Sequence, residues 1–217
     1  MKLFIDSGNI KDIETLAAIG IIDGVTTNPT LLAKEPGDFK ENLKKICQIV
    51  KGPVSGEVTA TDFAGMITQG HDIAKIDQHM IVKVPLTRAG IQACKALSGE
   101  GIRVNVTLCF SAAQALLAAK AGATFVSPFV GRLDDIATNG MDLIREIVDI
   151  YNNYDFTTEV LVASCRHPIH VTEAARMGAD IATCPPAVID MLFNHPLTSI
   201  GLEKFLKDWE KSQGAKV

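Results

Sequence analysis

The sequence predicts an α/β fold, a (β/α)8 TIM barrel with an extra C-terminal helix. Short apolar runs rich in β-branched residues recur along the 217 residues, and stretches with helical spacing lie between them. This alternation is typical of a parallel sheet with crossover helices, and eight repeats are the number that closes a barrel. Because no linker or shift in composition interrupts the chain, we expect one domain over residues 1–217.

The elements follow one another in a regular order. The predicted strands span residues 2–6, 24–27, 54–59, 80–84, 103–107, 124–127, 159–163 and 180–183. The predicted helices between them span residues 10–19, 39–50, 62–76, 88–97, 112–121, 142–151, 169–177 and 187–193. Gly122 and Gly178 are each placed to end a helix in the left-handed region just before a strand.

A last amphipathic segment follows the eighth unit. Within residues 202–213, Leu202, Phe205, Leu206 and Trp209 have the spacing of one helical face. We therefore expect a helical extension over residues 198–217 that makes oligomer contacts. The spacing alone leaves two alternatives open, because the stripe can be buried on its own barrel or on a second copy of the chain.

Composition narrows the classes of function. The net charge of −4 disfavours nucleic acid as a partner, although a local basic pocket for a small phosphorylated substrate stays compatible with it. No apolar run is long enough to span a bilayer, and residues 1–6 do not form a signal peptide. Five scattered cysteines without C-x-x-C spacing are typical of reduced thiols, so we expect a cytoplasmic protein that contacts neither nucleic acid nor membrane.

Lys83 is the most informative residue of the chain. It lies within Ile81-Val82-Lys83-Val84-Pro85, which predicts a buried strand. Burying an unpaired ammonium is unfavourable, so Lys83 either pairs with a carboxylate such as Asp6 or Glu57, or loses its proton and becomes a nucleophile. The second alternative leads to Schiff-base chemistry with a carbonyl substrate.

Other polar residues fall at the carboxyl ends of predicted strands, where barrels of this type hold their active sites. They are Asp6, Thr27, Asn28, Glu57, Thr59, Asn105, Thr107, Ser127, Ser164, Arg166 and Thr183. Asp6 and Glu57 are candidate proton carriers, and Thr107 is a candidate to hold a relaying water. Asn28, Asn105 and Ser127 are candidates to orient substrate hydroxyls. Taken singly, Asp6 and Glu57 are more often solvated carboxylates than catalysts, and Asn105 and Thr107 are more often structural hydrogen-bonders than substrate ligands. Their joint position favours the functional interpretation.

Arginines provide a second indication. Arg132 follows the sixth predicted strand, and Ser164 and Arg166 follow the seventh. Two guanidinium groups and a hydroxyl predict a phosphate site, unless Arg132 pairs with Asp134 or Asp135 instead. His167 and His170 lack a third ligand at metal spacing, so capping or core packing is the favoured interpretation. With no G-x-G-x-x-G or P-loop pattern either, we expect no cofactor and no metal.

Several motifs together resemble the small transaldolase subfamily, which also contains the fructose-6-phosphate aldolases. They are Phe4-Ile5-Asp6, residues 23–29 (DGVTTNP), 81–85 (IVKVP), 105–108 (NVTL), 127–132 (SPFVGR) and 195–198 (HPLT). The resemblance implies a TIM barrel and a metal-free class I mechanism of the pentose phosphate pathway. A dihydroxyacetone unit would pass from fructose 6-phosphate or sedoheptulose 7-phosphate to an aldose phosphate.

The resemblance also implies roles for individual residues. Lys83 matches the Schiff-base lysine, Asp6 the acid/base aspartate, and Glu57 with Thr107 the pair that holds the catalytic water. Groups around the dihydroxyacetone unit match Asn28, Asn105 and Ser127, and the phosphate site matches Arg132, Ser164 and Arg166. Similar proteins form ring-shaped homo-oligomers, pentamers or decamers, through the C-terminal helix.

Two positions divide the family that the chain resembles. Members that act mainly as aldolases carry Gln in place of Glu57 and Tyr in place of Phe129, and the chain is similar to the transaldolases at both positions. A Tyr hydroxyl can protonate the carbanion and release free dihydroxyacetone, whereas Phe129 has no proton to give. A fructose-6-phosphate aldolase is therefore the alternative enzyme. A non-catalytic barrel that binds sugar phosphates is the alternative outside enzymes.

Overall fold

Eight parallel strands close into a barrel in the computed structural model, which describes residues 1–214. Each strand pairs with the next along the chain, and the last pairs with the first. The strands are β1 (Lys2–Asp6), β2 (Gly24–Thr26), β3 (Val54–Glu57), β4 (Met80–Pro85), β5 (Val104–Cys109), β6 (Phe125–Pro128), β7 (Glu159–Val162) and β8 (Ile181–Cys184). The predicted fold class is confirmed.

Helices connect the strands. They are α1 (Ile10–Ala17), α2 (Pro29–Leu32), α3 (Phe39–Val50), α4 (Phe63–Ala74), α5 (Arg88–Gly99), α6 (Ala112–Ala121), α7 (Val130–Asp134), α8 (Gly140–Asn153), α9 (Pro168–Met177), α10 (Pro186–Phe193) and α11 (Pro196–Gly214). Gly122 and Gly178 end α6 and α9 at φ values of 87° and 84°, as predicted. None of these helices is both long and apolar enough to cross a membrane.

The barrel interior has an apolar layer below a polar one. Phe4, Ile81, Phe125, Leu161 and Ile181 fill the lower layer, where a side chain on Gly24 would overlap the Phe4 ring. Because side chains alternate along a strand, the residue two positions later points into the barrel one layer higher. Those positions hold Asp6, Thr26, Lys83, Ser127 and Thr183, with Ala163 as the one apolar residue among them. The polar layer therefore lies at the carboxyl ends of the strands.

A larger apolar core lies between the strands and the surrounding helices. All five cysteines are buried in it as free thiols. Outside this core, α11 exposes Leu202, Phe205, Leu206 and Trp209 to between 54% and 72%. The helix starts at Pro196, two residues before the predicted extension, since His195 accepts hydrogen bonds from the first-turn N–H groups. Residues 215–217 of that predicted extension lie outside the described residues.

Candidate active site

Lys83 lies in the polar layer of the barrel with a side chain that is only 7% exposed. Its Nζ is 3.0 Å from Glu57 Oε2 and donates a hydrogen bond of 3.0 Å to the Thr27 carbonyl oxygen. Glu57 and Lys83 meet because they are paired positions of β3 and β4. The carboxylate that Lys83 contacts is thus Glu57, which can balance the charge of the ammonium or accept its proton.

Asp6 is the second carboxylate of the site, at the end of β1. Its Oδ1 accepts a hydrogen bond of 2.8 Å from the Thr26 hydroxyl, which in turn is 2.7 Å from the Thr183 hydroxyl. Burial raises the pKa of Asp6 above its usual value, while the Thr26 hydrogen bond and the charge of Lys83 act in the opposite direction. A carboxylate with a raised pKa is a stronger base once it has lost its proton.

Thr107 and Ser127 are buried on the opposite wall of the barrel. The Thr107 hydroxyl has no hydrogen-bond partner within residues 1–214, although such groups are usually satisfied in folded proteins. It therefore has a free hydrogen-bonding position for a water or a substrate oxygen. The Ser127 hydroxyl donates a bond of 2.8 Å to Asn105 Oδ1, and Asn105 Nδ2 donates one of 3.3 Å to the Ser55 hydroxyl.

Asn28 reaches the site from the loop after β2. Its side-chain oxygen accepts a hydrogen bond of 3.0 Å from the Leu31 N–H and so caps α2, a four-residue helix that was not predicted. Pro29 follows directly and favours a helix start at this point. The cap fixes the Asn28 side chain at the barrel mouth.

The predicted phosphate residues lie together at the other end of the mouth. Arg132 belongs to α7, a short helix that was also not predicted, and its guanidinium carbon is 5.3 Å from the centre of the Phe129 ring. Ser164 follows β7 with a φ of 61°, in the left-handed region. Such backbone is unfavourable for serine and is typical of functional sites.

The alternative in which Arg132 pairs with Asp134 or Asp135 is wrong. Asp134 contacts His170 at 2.9 Å, and Asp135 contacts Arg166 Nη2 at 2.8 Å. Arg132 makes no ion pair with any residue that the structure describes. One exposed guanidinium therefore faces the mouth without a carboxylate partner.

Two adjoining cavities, of about 180 Å³ and 430 Å³, form one cleft over the polar layer. Both are lined by Asp6, Asn28, Lys83, Thr107, Phe129 and Arg132. Ser127, Ser164 and Arg166 line the smaller cavity, and Glu57 lines the larger. Of the residues to which the sequence assigned a role in catalysis or substrate binding, Asn105 alone does not line the cleft, because it lies beneath Ser127. Its direct contact with a substrate stays a prediction.

Two threonines that the sequence predicts at the site, Thr27 and Thr59, do not line the cleft. Thr27 turns away and donates its hydroxyl to the Ser55 carbonyl oxygen, whereas Thr26 lines the cleft beside Asp6. Thr59 lies beyond the end of β3 and bonds to Gln69. Strand alternation counted back from Asn28 would have identified Thr26, since positions 26 and 28 share a face. The sequence predicts Thr183 only as a polar strand end, and in the structure its hydroxyl contacts that of Thr26.

The chain is similar to known proteins over nearly its whole length. The family model described as Transaldolase/Fructose-6-phosphate aldolase matches residues 3–216. A probable transaldolase of Caldicellulosiruptor saccharolyticus is 60% identical over 212 residues, covering 97% of this chain and 98% of the relative. A probable transaldolase of Methanococcus vannielii is 59% identical, covering 97% of this chain and 98% of the relative. A probable transaldolase of Anaeromyxobacter dehalogenans is 58% identical, covering 97% of each chain.

Proposed function

The chain belongs to the transaldolase/fructose-6-phosphate aldolase family of aldolase-type enzymes, and on that premise we propose that it is a transaldolase. It would move a dihydroxyacetone unit from fructose 6-phosphate or sedoheptulose 7-phosphate to erythrose 4-phosphate or glyceraldehyde 3-phosphate. The observation that carries this proposal is a buried amine 3.0 Å from a carboxylate, at the floor of a cleft that has two arginines at its mouth. A ketose phosphate needs both a nucleophile for its carbonyl carbon and a site for its phosphate, and this cleft holds candidates for both.

In the first half of the reaction, the unprotonated amine of Lys83 attacks the carbonyl carbon of the ketose. Glu57 is the nearest acceptor for the lysine proton, and the unpartnered hydroxyl of Thr107 supports a role in holding a water. Loss of water from the carbinolamine leaves an iminium ion on Nζ. The iminium withdraws electrons from the neighbouring C–C bond.

In the second half, Asp6 takes the proton of the substrate C4 hydroxyl. The C3–C4 bond then breaks, its electron pair moves toward the iminium, and the aldose phosphate leaves. The three-carbon enamine stays on Lys83 and attacks the aldehyde carbon of the acceptor, while Asp6 returns its proton to the aldehyde oxygen, and water finally releases the new ketose. All steps use side chains of the chain itself, with Asn28, Asn105 and Ser127 proposed to orient the hydroxyls and Arg132, Ser164 and Arg166 to bind the phosphate.

A transfer assay tests this proposal. With fructose 6-phosphate and erythrose 4-phosphate, we expect sedoheptulose 7-phosphate and glyceraldehyde 3-phosphate in equal amounts, measured by chromatography and mass spectrometry. With fructose 6-phosphate alone, we expect little free dihydroxyacetone. Thermal stabilisation by sugar phosphates without any turnover would instead favour a non-catalytic binding barrel.

The alternative is a fructose-6-phosphate aldolase, which releases free dihydroxyacetone without an acceptor. Phe129 lines both cavities, and its ring has no proton to give to the enamine. The Phe129→Tyr variant should therefore raise the ratio of dihydroxyacetone release to transfer about tenfold. Phe110→Tyr is the matched control, because the Phe110 ring packs 5.9 Å from Phe129 without lining the cleft. An unchanged ratio in Phe129→Tyr would contradict this role of Phe129.

We also propose that the chain forms a ring-shaped homo-oligomer, a pentamer or decamer, in the cytoplasm. The exposed stripe on α11 supports this, as does a separate apolar groove of about 590 Å³ on the outer wall, lined in part by Phe63, Ile91 and Leu117. Contact between two different surfaces is head-to-tail and closes into a ring when the rotation fits. Sedimentation should give an oligomer for the native chain and a single chain for the Phe205→Glu/Trp209→Glu variant.

A further inference from the structure

Arg166 is hydrogen-bonded through its backbone to a buried histidine. Its backbone N–H donates a hydrogen bond of 3.1 Å to His170 Nδ1, four residues along the chain. The His170 side chain is 4% exposed, and its Nε2 lies 2.9 Å from Asp134 Oδ2. The second oxygen of Asp134 accepts the Gly140 N–H at 2.9 Å, so α7 and the start of α8 fix the histidine in turn.

These contacts determine which nitrogen of His170 holds the proton. Because Nδ1 accepts an N–H, it has no proton of its own, and the neutral ring must donate from Nε2 to Asp134. Asp134, His167 and His170 lie within 4.8 Å of one another, as metal ligands do. A metal on Nε2 would require the ring proton on Nδ1, where the Arg166 N–H already points. The cluster is therefore better described as a chain of hydrogen bonds from the Arg166 N–H through His170 to Asp134.

The loop that holds Arg166 has little room to move. A side chain on Gly131 would overlap the Ser164 carbonyl oxygen and Nε of Arg166, so α7 packs directly on this loop. On the opposite side, Asp135 holds Nη2 of Arg166 at 2.8 Å. Because these contacts join Ser164 and Arg166, a shift caused by loss of the His170 contact would move both residues together.

We propose that His170, oriented by Asp134, is a positioning residue for the phosphate subsite, and that phosphate binding requires His170 in its neutral form. The inference rests on the proposed function, because it assigns Arg166 to the substrate phosphate. The positioning by His170 affects the affinity of the site for the phosphorylated end of the substrate. The chemistry at Lys83, at the other end of the cleft, does not depend on it.

The direction of the pH dependence follows from the surroundings of His170. Burial lowers its pKa below the usual value, and the neighbouring His167 adds to this, while Asp134 on α7 and Glu173 on α9 oppose it. Arg145 and Asp149 of the adjacent α8 share a surface groove with Glu173 and Arg176. As pH falls through the lowered pKa, Nδ1 of His170 gains a proton and can no longer accept the Arg166 N–H. The affinity for the phosphate dianion of the substrate is therefore lost on the acid side.

Two substitutions separate this role from simple packing. In His170→Gln the amide reaches the position of Nε2 and keeps the contact with Asp134, but nothing accepts the Arg166 N–H. In His170→Asn the side-chain oxygen takes the position of Nδ1 and restores that acceptor, and it cannot titrate. We expect His170→Gln to raise the KM for fructose 6-phosphate about fivefold to tenfold without changing kcat, and His170→Asn to recover most of the loss.

Sulfate is the probe that does not depend on the reaction, since it stays a dianion between pH 5 and 8. Calorimetry should show weaker sulfate binding to His170→Gln than to His170→Asn at neutral pH. It should also show a loss of affinity toward pH 5 in the native protein that His170→Asn lacks. His79→Gln is the matched control, because His79 also contacts an aspartate, at 2.7 Å, but lies before β4 at the opposite end of the barrel.

Three results would overturn the proposal. They are equal damage in His170→Gln and His170→Asn, a fall in kcat without a change in KM, and a native sulfate affinity with the same pH dependence as that of His170→Asn. The native protein alone also gives a test, because a sulfate affinity that does not fall toward pH 5 would contradict the proposal without any variant. If the native protein transfers nothing from fructose 6-phosphate to erythrose 4-phosphate but the sulfate results hold, the proposed reaction fails and the role of His170 stands.

Discussion

The Lys83→Met variant should lose at least about four orders of magnitude in transfer rate and form no borohydride-trapped adduct with fructose 6-phosphate. Methionine has similar length but no amine, so it removes the nucleophile and keeps much of the volume. The native protein should give an adduct whose added mass lies on the peptide that contains Lys83. Lys45→Met, a change at an exposed position of α3 on the outer wall, is the matched control for the loss of one lysine.

The same variant decides between nucleophile and structural ion pair, the two interpretations that the sequence left open. Removing one partner of a largely buried pair leaves Glu57 uncompensated, which we expect to lower stability by about 3 kcal/mol. Adding Glu57→Gln to Lys83→Met removes that charge and should recover most of the stability. If the double variant also recovers activity, Lys83 is only structural. If stability returns and activity does not, the amine itself is required.

Much of the cleft could be predicted because a parallel barrel repeats one simple rule. Side chains alternate along each strand, and neighbouring strands are in register, so Glu57, Lys83 and Asn105 all point into the barrel. Runs of β-branched residues identify the strands. A polar residue that interrupts such a run shows which positions of that strand point into the barrel. The rule failed at Thr27 because the predicted strand ran one residue too long, beyond the end of β2 at Thr26.

The rest of the site depends on contacts that no periodic pattern contains. The helices α2 and α7 have only four and five residues, too few to show a helical period, yet they position Asn28 and Arg132. His170 was interpreted as a capping or packing residue, and its bonds to Arg166 and Asp134 join parts of the chain that only the folded barrel brings together. For Asn105, alternation correctly predicts a side chain inside the barrel. It does not reveal that this side chain lies beneath Ser127 and does not line the cleft.

The Asp6→Asn variant should lower kcat by about two to four orders of magnitude and still form the lysine adduct. Asparagine keeps the shape of the side chain but cannot take the C4 hydroxyl proton, so C–C cleavage stops after the iminium has formed. Borohydride should therefore trap the intact six-carbon donor on Lys83, whereas the native protein accumulates the three-carbon fragment. A mass difference between these two adducts measures the step directly. Failure to form any adduct would mean that Asp6 acts earlier, in formation of the iminium.

Thr26 provides the complementary test of Asp6 as a base. Its hydroxyl donates to the carboxylate at 2.8 Å and so favours the ionised form, against the burial that raises the pKa. Thr26→Val removes this donor, so the pKa of Asp6 should rise further and the acid limb of the kcat profile should move to higher pH. Thr26→Ser keeps the hydroxyl and should retain the native profile. Because only the ionised carboxylate accepts the substrate proton, a shift to lower pH, or equal shifts in both variants, would exclude Asp6 as the group that controls this limb.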